Sequence, residues 1–171
     1  MPRIIDVRFR VYGAKKLARY FRGSAKRATN LSGPFRWARR DLRRLNAANF
    51  ASDGVASGKK WNALDTEYHA WKIRHHGGTP TMIRTGDLYR DLTTLSGSEN
   101  YIGHKNAAFG TDLEYAKFHQ TGTRFMPARK IVFAPEIFQK RLGNKIADHL
   151  VYGGNPASRS YRKMKSVAFR G

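Results

Sequence analysis

Alternating and helical patterns of apolar residues organise the first fifty residues of the chain. Residues 5–11 alternate between apolar and polar positions, which is the period of a half-buried strand. The apolar positions of this strand are Ile5, Val7, Phe9 and Val11. Residues 14–29, with the sequence AKKLARYFRGSAKRAT, then predict a helix. After a break at residues 30–33, Pro34 suits the first turn of a second helix.

Each of the two predicted helices carries its positive charges on one side. At about 100° per residue, an arc of roughly 60° on the first helix holds Lys15, Arg19, Arg22 and Lys26. An arc of roughly 140° on the second helix holds Arg36, Arg39, Arg40, Arg43 and Arg44. The apolar residues opposite these arcs are expected to dock on the body of the protein.

The basic face of the second helix has little acid nearby. Asp41 is the only acidic residue within residues 35–45, and it stands to the side of the arc. The like charges therefore repel one another with nothing intramolecular to offset them. A solvated helix face is one interpretation of such a charge run. We expect instead a face that meets phosphate or an acidic protein surface.

The remaining pattern mixes short helices with short strands. The predicted elements are a helix within residues 58–78, a short helix entered at Thr85-Gly86-Asp87, a hairpin around Lys105-Asn106, a short helix ending at Gly122, a strand over residues 128–135 and an amphipathic helix over residues 135–152. This mixture predicts an α+β fold in which helices pack a small mixed or antiparallel sheet.

Charge divides the 171 residues into three parts. Residues 1–51 hold 14 basic and 2 acidic residues, residues 52–153 hold 14 and 10, and residues 154–171 hold 5 and none. We therefore predict a basic N-terminal strand and helical arm over residues 1–51, an α+β core domain over residues 52–153, and a basic C-terminal tail over residues 154–171. The net charge of +21 opposes compaction and indicates a negatively charged partner.

Composition also limits the classes of function. The chain has no cysteine, which excludes disulfides and thiolate metal sites and fits synthesis in a reducing cytoplasm. The first thirteen residues lack the apolar run of a signal peptide. No segment approaches the roughly 20 apolar residues that a membrane span needs, so no membrane partner is expected.

Histidines provide no recognised metal site. His75, His76 and His104 lack the ligand spacing of a known metal motif, and so does the pair formed by Glu114 and His119. No phosphate-binding glycine loop or nucleophile elbow is present either. We expect no cofactor and no metal.

Two carboxylates raise the question of a nuclease. Asp87 and Asp91 stand one helical turn apart and would suit Mg²⁺. Arg84 and Arg90 are close in sequence, which makes ion pairing the plainer account. We therefore expect no catalytic residues and a protein that is not an enzyme.

Three short pieces occur in order along the centre of the chain. They are Gly58-Lys59-Lys60-Trp61 with Leu64 and Tyr68 following, Ile83-Arg84-Thr85-Gly86-Asp87-Leu88, and Tyr115-Ala116-Lys117-Phe118-His119-Gln120-Thr121-Gly122 leading to Pro127-Ala128-Arg129. The ordered set, over roughly residues 50–135, resembles the phage virion morphogenesis family of tailed bacteriophages. One departure is Lys130-Ile131, where members of the family often continue with a proline and an aromatic residue.

The resemblance implies a structural virion protein that completes the tail and lies in the neck, at the top of the tail. It implies a homo-oligomeric ring, expected to be a hexamer, that contacts connector and tail-tube proteins around the channel through which genome DNA passes. The motif residues that it assigns to the fold and to subunit contacts are Trp61, Thr85, Gly86, Leu88, Tyr115, His119, Gln120, Gly122, Pro127 and Arg129.

The third piece also carries local expectations. Tyr115, Phe118 and the ring of His119 are expected to pack inward, and Gln120 to hydrogen-bond the backbone near the turn at Gly122. Residues 127–129 suit an extended segment to which a neighbouring subunit adds its edge.

The positive charge keeps a second class of function open. In a neck ring, the basic helix faces would line the channel and attract phosphate without reading sequence, or would grip acidic neighbours. The alternative is a free nucleic-acid-binding protein, such as a packaging or DNA-condensing factor. The sequence carries no zinc finger and no convincing helix-turn-helix pair in its support.

Overall fold

Helices make up most of this protein, whose computed structural model describes residues 14–95 and 100–153. The elements are α1 (Ala14–Ala28), α2 (Ser32–Ala51), a short 3-10 helix (Val55–Ser57), α3 (Thr66–His76), α4 (Asp87–Thr93), β1 (Asn100–Ile102), β2 (Ala107–Phe109), α5 (Ala116–Thr121) and α6 (Glu136–Tyr152). The predicted α+β class is confirmed. The strand predicted at residues 5–11 and the tail predicted at residues 154–171 lie outside the described residues.

The longest helix, α2, supplies both parts of the hydrophobic core. Phe50, near its end, belongs to a cluster with Trp61, Met82, Leu88, Leu92, Ala116 and Ile131. Ala38 and Leu42, in its middle, pack against Phe138 of α6 in a second cluster. Helix α2 is therefore basic on one side and central to the core on the other. The division of the chain at residue 51 remains a prediction.

Helix α3 begins later than the start of the predicted helical segment. Asp65 precedes it, and its Oδ1 accepts hydrogen bonds from the backbone N–H of Glu67 at 3.0 Å and of Tyr68 at 3.1 Å. This N-cap fixes the first turn. Trp71 stacks between Tyr68 and His75, with ring centroids 5.6 and 4.8 Å away, so these three aromatic side chains share one side of α3.

The sheet is smaller than predicted. Strands β1 and β2 pair antiparallel, with Asn100 opposite Phe109, so the hairpin is confirmed. The structure shows no strand at residues 128–135, where one was predicted, because this segment pairs with no strand in the part of the chain that the structure describes. Side chains bind its backbone instead: Asn49 Nδ2 donates to Lys130 O over 2.8 Å, and Gln120 bonds both amide groups at residues 131–132.

Helix α1 is fastened to the end of α6. Arg27 Nε donates to Leu150 O over 2.7 Å, and Arg27 Nη2 donates to Val151 O over 3.2 Å. His149 Nε2 lies 2.8 Å from Asn30 O. The two Arg27 bonds occupy carbonyls in the last turn of α6, where a positive side chain is favoured. They also set where the positive side of α1 lies relative to α2 and α6.

Candidate functional site

The basic residues predicted on α1 all reach solvent. Their side chains are exposed at Lys15, Arg19, Arg22 and Lys26. Spacings of three and four residues place them in one row along the helix. Phe21 points away from this row yet is 62% exposed, so the apolar side of α1 is only partly covered by the described part of the protein.

The five arginines of α2 separate into two rows. Arg36, Arg40 and Arg44 follow a four-residue spacing and are exposed. Arg39 is half-buried and Arg43 is 7% exposed, so the prediction of one solvent-facing arginine surface is wrong for this second row. The reason is packing on that flank of α2, which faces α4 and the hairpin.

Arg43 is bound within that packing. Its Nη2 donates to Asn100 Oδ1 over 2.8 Å. Burial lowers the pKa of Arg43, the charge of Arg39 lowers it further, and Asp91 opposes the change. A guanidinium stays protonated under these conditions. Arg43 therefore joins α2 to β1 and is not available to a partner.

Cations of α1, α2 and α6 meet around one open depression of about 710 Å³, the basic groove. Its cationic lining is Lys26, Arg27, Arg36, Arg40 and Lys145. Asp148 is the only carboxylate among its described lining residues. Lys145 comes from α6, outside the two helices in which charge runs are visible, so the sequence analysis missed it.

An aromatic platform positions Lys145. Its Nζ lies 5.8 Å from the centroid of the Trp37 ring, within reach of a cation–π contact. Trp37 in turn stacks on Phe138, with centroids 6.4 Å apart and planes inclined by 11°. The second core cluster thus fixes the position of Trp37, which in turn positions Lys145 in the basic groove.

Most of the motif residues converge on a different depression, the motif cleft, of about 540 Å³. The motif residues that line it are Thr85, Gly86, Leu88, Tyr115, His119, Pro127 and Arg129. Trp61, Gln120 and Gly122 are not among its lining residues. The second and third sequence pieces, together with Leu64 and Tyr68 that follow the first, therefore border one cleft.

The turn before α4 forms one wall of the motif cleft. Gly86 has φ +88°, a left-handed conformation that glycine adopts without strain, and it directly precedes the helix. Leu88 is buried and anchors α4 to the core. Asp87 binds Thr85 and Arg90, which supports the ion-pair interpretation of this carboxylate.

The opposite wall comes from α5, which has only one side turned inward. Ala116 is buried on that side, one turn before Gln120. Tyr115 and Phe118 are 41% and 45% exposed, so the prediction that they pack inward is wrong. Tyr115 borders the cleft instead, edge-on to the His119 ring with centroids 6.1 Å apart.

Two buried cations hold the loops at the base of the motif cleft. Arg129 Nε and Nη2 donate to Asn62 O and Ala63 O, both over 3.1 Å. Lys72 Nζ donates to the carbonyls of Thr79, Pro80 and Thr81. Burial lowers the pKa of both cations. Their partners are backbone carbonyls, so both are structural, and no sequence pattern marked Lys72.

His119 lies half-buried between these walls. Burial lowers its pKa, and the positive charge of Arg129 lowers it further. Its Nδ1 is buried and makes no hydrogen bond within residues 14–95 and 100–153. The ring packs edge-on against Tyr115 on the wall of the cleft.

The rim of the motif cleft is apolar and exposed. Phe125 is 89% exposed at the tip of a tight turn, where Thr123 N donates to Met126 O over 2.8 Å. Arg124 lies 5.5 Å from the Phe125 ring centroid. With Tyr68 and Tyr115 on the same cleft, three aromatic side chains face solvent together. Such grouping marks a contact surface more than a single exposed apolar residue does.

The described part of the chain contains no cluster of three or more histidine or acidic residues placed to hold a metal ion. Within the same ranges, no helix combines the length and apolar character needed to cross a membrane.

Comparison with known proteins gives a consistent result. The model of the phage virion morphogenesis family matches residues 13–148. Over 81 residues the chain is 36% identical to Mu-like prophage FluMu G protein 1 of Haemophilus influenzae strain Rd. The aligned region covers 47% of this chain and 52% of that protein. The match thus spans about half the length of this curated relative. No solved structure matches the chain significantly.

Proposed function

This chain belongs to the phage virion morphogenesis family, and from that premise we propose that it is a tail-completion protein of the neck. In this role it forms a homo-oligomeric ring, a hexamer, that joins the tail to the head connector around the DNA channel. The similarity to a Mu-like prophage protein supports a role in building a bacteriophage particle. Its partners would be the connector and tail-tube proteins.

The observation that carries this proposal is the convergence of the motif residues on the motif cleft. Seven of them line it, although they come from separate parts of the chain. Two of its charged side chains are bound within the protein: Arg129 to backbone carbonyls, and Asp87 to Arg90 and Thr85. What it offers is apolar area with exposed aromatic side chains at its rim. That is the composition of a subunit contact, in which aromatic anchors dominate the binding energy.

A ring requires a heterologous contact, in which a surface of one subunit meets a different surface of the next. The Phe125 turn projects from the edge of the motif cleft and supplies a compact apolar anchor for such a contact. We propose that Phe125 enters the interface between neighbouring subunits.

The test is the mass of the assembled protein in solution. Size-exclusion chromatography with light scattering of the purified chain is expected to give the mass of a closed ring. Phe125→Ser is expected to shift that mass to smaller species. Phe21→Ser is the matched control, because Phe21 is also an exposed phenylalanine but lies on α1, away from the cleft. If the wild type and both variants form rings of equal mass, the motif cleft is not part of the interface. A monomeric wild type would overturn the ring.

A second candidate function is a free nucleic-acid-binding protein, and the basic groove favours it. That function predicts a monomer or dimer that binds DNA and is absent from finished particles. The neck role predicts the reverse: synthesis in the host cytoplasm followed by incorporation into the virion. Detection of the chain in purified virions separates the two.

A further inference from the structure

We infer that the basic groove and the row of cations on α1 form one continuous track that binds the phosphate backbone of duplex DNA without reading base sequence. The meaning of this track in the virion rests on the proposed neck role. DNA binding by the purified chain can be measured independently of that role, so the track and the neck role can each fail without the other.

Continuity of the track follows from Lys26. It ends the exposed row of α1 and also lines the basic groove. From Lys15 to Lys26 the helix rises by about 16 Å at ~1.5 Å per residue. Duplex DNA presents a phosphate about every 3.4 Å of axis on each strand, so the α1 row alone lies along about five of them. Arg36, Arg40 and Lys145 extend the positive surface beyond the row.

The charges of the track are free to bind an outside anion. Within residues 14–95 and 100–153, Arg36, Arg40 and Lys145 form no ion pair. The ion pairs there join Arg90 to Asp87, Lys140 to Glu136, and Arg141 to Asp41. Arg27, by contrast, lines the groove but is hydrogen-bonded to α6, so we do not count it among the side chains that bind phosphate.

The makeup of the track favours DNA over an acidic protein. Stable protein interfaces centre on buried apolar anchors surrounded by a polar rim. The aromatic residue of the basic groove, Trp37, is half-buried under Lys145 and stacked on Phe138, so it is not an exposed anchor. Long flexible cations spread over three helices match a polyanion whose charge repeats along a line, and protein–DNA interfaces are more polar and more positive than protein interfaces.

The experiment measures fluorescence anisotropy of a labelled random-sequence DNA duplex over a range of salt concentrations. The track variant is Arg36→Gln/Arg40→Gln/Lys145→Gln. The matched control is Arg74→Gln/Lys117→Gln/Lys105→Gln, which removes three positive charges from exposed sites elsewhere. Each variant loses one cation–π contact, Lys145 with Trp37 or Lys117 with Phe118. Unlabelled polyglutamate serves as the acidic-protein probe.

The track variant is expected to lower the slope of log K against log salt concentration by about three, since each lost phosphate contact removes about 0.9. The control is expected to keep the wild-type slope. A charge-conserving variant, Arg36→Lys/Arg40→Lys, is expected to retain binding, because phosphates are met as point charges. An equal fall of the slope in the track variant and in the control would show that only the net charge of the protein matters, and it would overturn the inference. Preferential binding of polyglutamate through the track would assign it to an acidic protein and also overturn the inference.

Discussion

Gln120 and Val132 exchange two hydrogen bonds, as two residues paired in a β-ladder do. The Val132 amide donates to Gln120 Oε1 over 3.1 Å, and Gln120 Nε2 donates to Val132 O over 3.0 Å. The Ile131 amide donates to the same Oε1 over 3.0 Å. The Gln120 side chain thus satisfies backbone groups that a neighbouring strand would otherwise bind. It also holds the backbone of Ile131, whose side chain is buried in the core.

Removing this side-chain pairing should therefore destabilise the fold. Gln120→Met keeps the length of the side chain but leaves three backbone groups without their partner. At about 1 kcal/mol for each bond, we expect a loss of about 3 kcal/mol in the free energy of unfolding, measured by urea denaturation. Gln139→Met is the control, because the exposed Gln139 side chain donates a single hydrogen bond within the described residues, to Ala134 O. A loss below ~1 kcal/mol for Gln120→Met would contradict this role.

Gly122 should tolerate no side chain. Its φ of +78° is strained for other residues, and an added Cβ would lie 2.8 Å from Ala128 N. Gly122→Ala is expected to cost roughly 2–4 kcal/mol in the free energy of unfolding. Gly153→Ala measures the conformational part of this cost alone. Gly153 has φ +77°, and the atom nearest to an added Cβ is Arg27 Cδ at 3.6 Å. This substitution should cost roughly 1 kcal/mol, and equal losses at the two sites would argue against the close approach.

Neighbouring arginines on α2 should behave differently. Arg43→Ala leaves Asn100 Oδ1 without this donor and opens space in the packing against the hairpin, so we expect a loss of about 2 kcal/mol in stability. Arg44→Ala removes the same charge from an exposed position and should change stability by less than ~0.5 kcal/mol. Thermal unfolding of the two variants measures the difference. If both lose the same stability, Arg43 is not held as the structure has it.

His119 should make stability depend on pH. Burial and then Arg129 lower its pKa in the folded protein below the ordinary value of about 6.5. The unfolded chain therefore binds a proton more readily, and stability present above about pH 6.5 is lost as the pH falls through the lowered pKa. Urea unfolding at pH 7.5 and pH 5 measures this loss. In His119→Gln the loss should be smaller than in wild type, whereas the exposed-site control His69→Gln should follow wild type. Identical pH dependence in His119→Gln and wild type would remove His119 from this role.

Local patterns were sufficient to predict most of the helices. The amphipathic spacing of α1, α2 and α6, the glycine entry to α4 and the glycine stop after α5 are all set by neighbouring residues. The segment at residues 128–135 is apolar and β-branched, and it predicts a strand. Whether such a segment becomes a strand depends on what binds its backbone. Here the partners are side chains of Asn49 and Gln120, which lie about 80 and 11 residues away in sequence.

The candidate sites show the same limit. Helical spacing correctly predicted that Arg36 and Arg40 lie outside the core, but it could not separate them from Arg43, because α4 and the hairpin cover one flank of α2. Lys145 belongs to no run of basic residues that marks a charged face, and it joins the basic groove through the packing of α6 on α2. The resemblance marked the motif residues, whereas the fold shows that most of them border one cleft.

The most direct test of the account is quantitative detection of the chain in purified phage particles, with antibody labelling of its position. We expect a fixed copy number per particle that corresponds to one ring, and label confined to the junction of head and tail. Particles that lack the chain while the lysate contains it would contradict the proposed role in the neck.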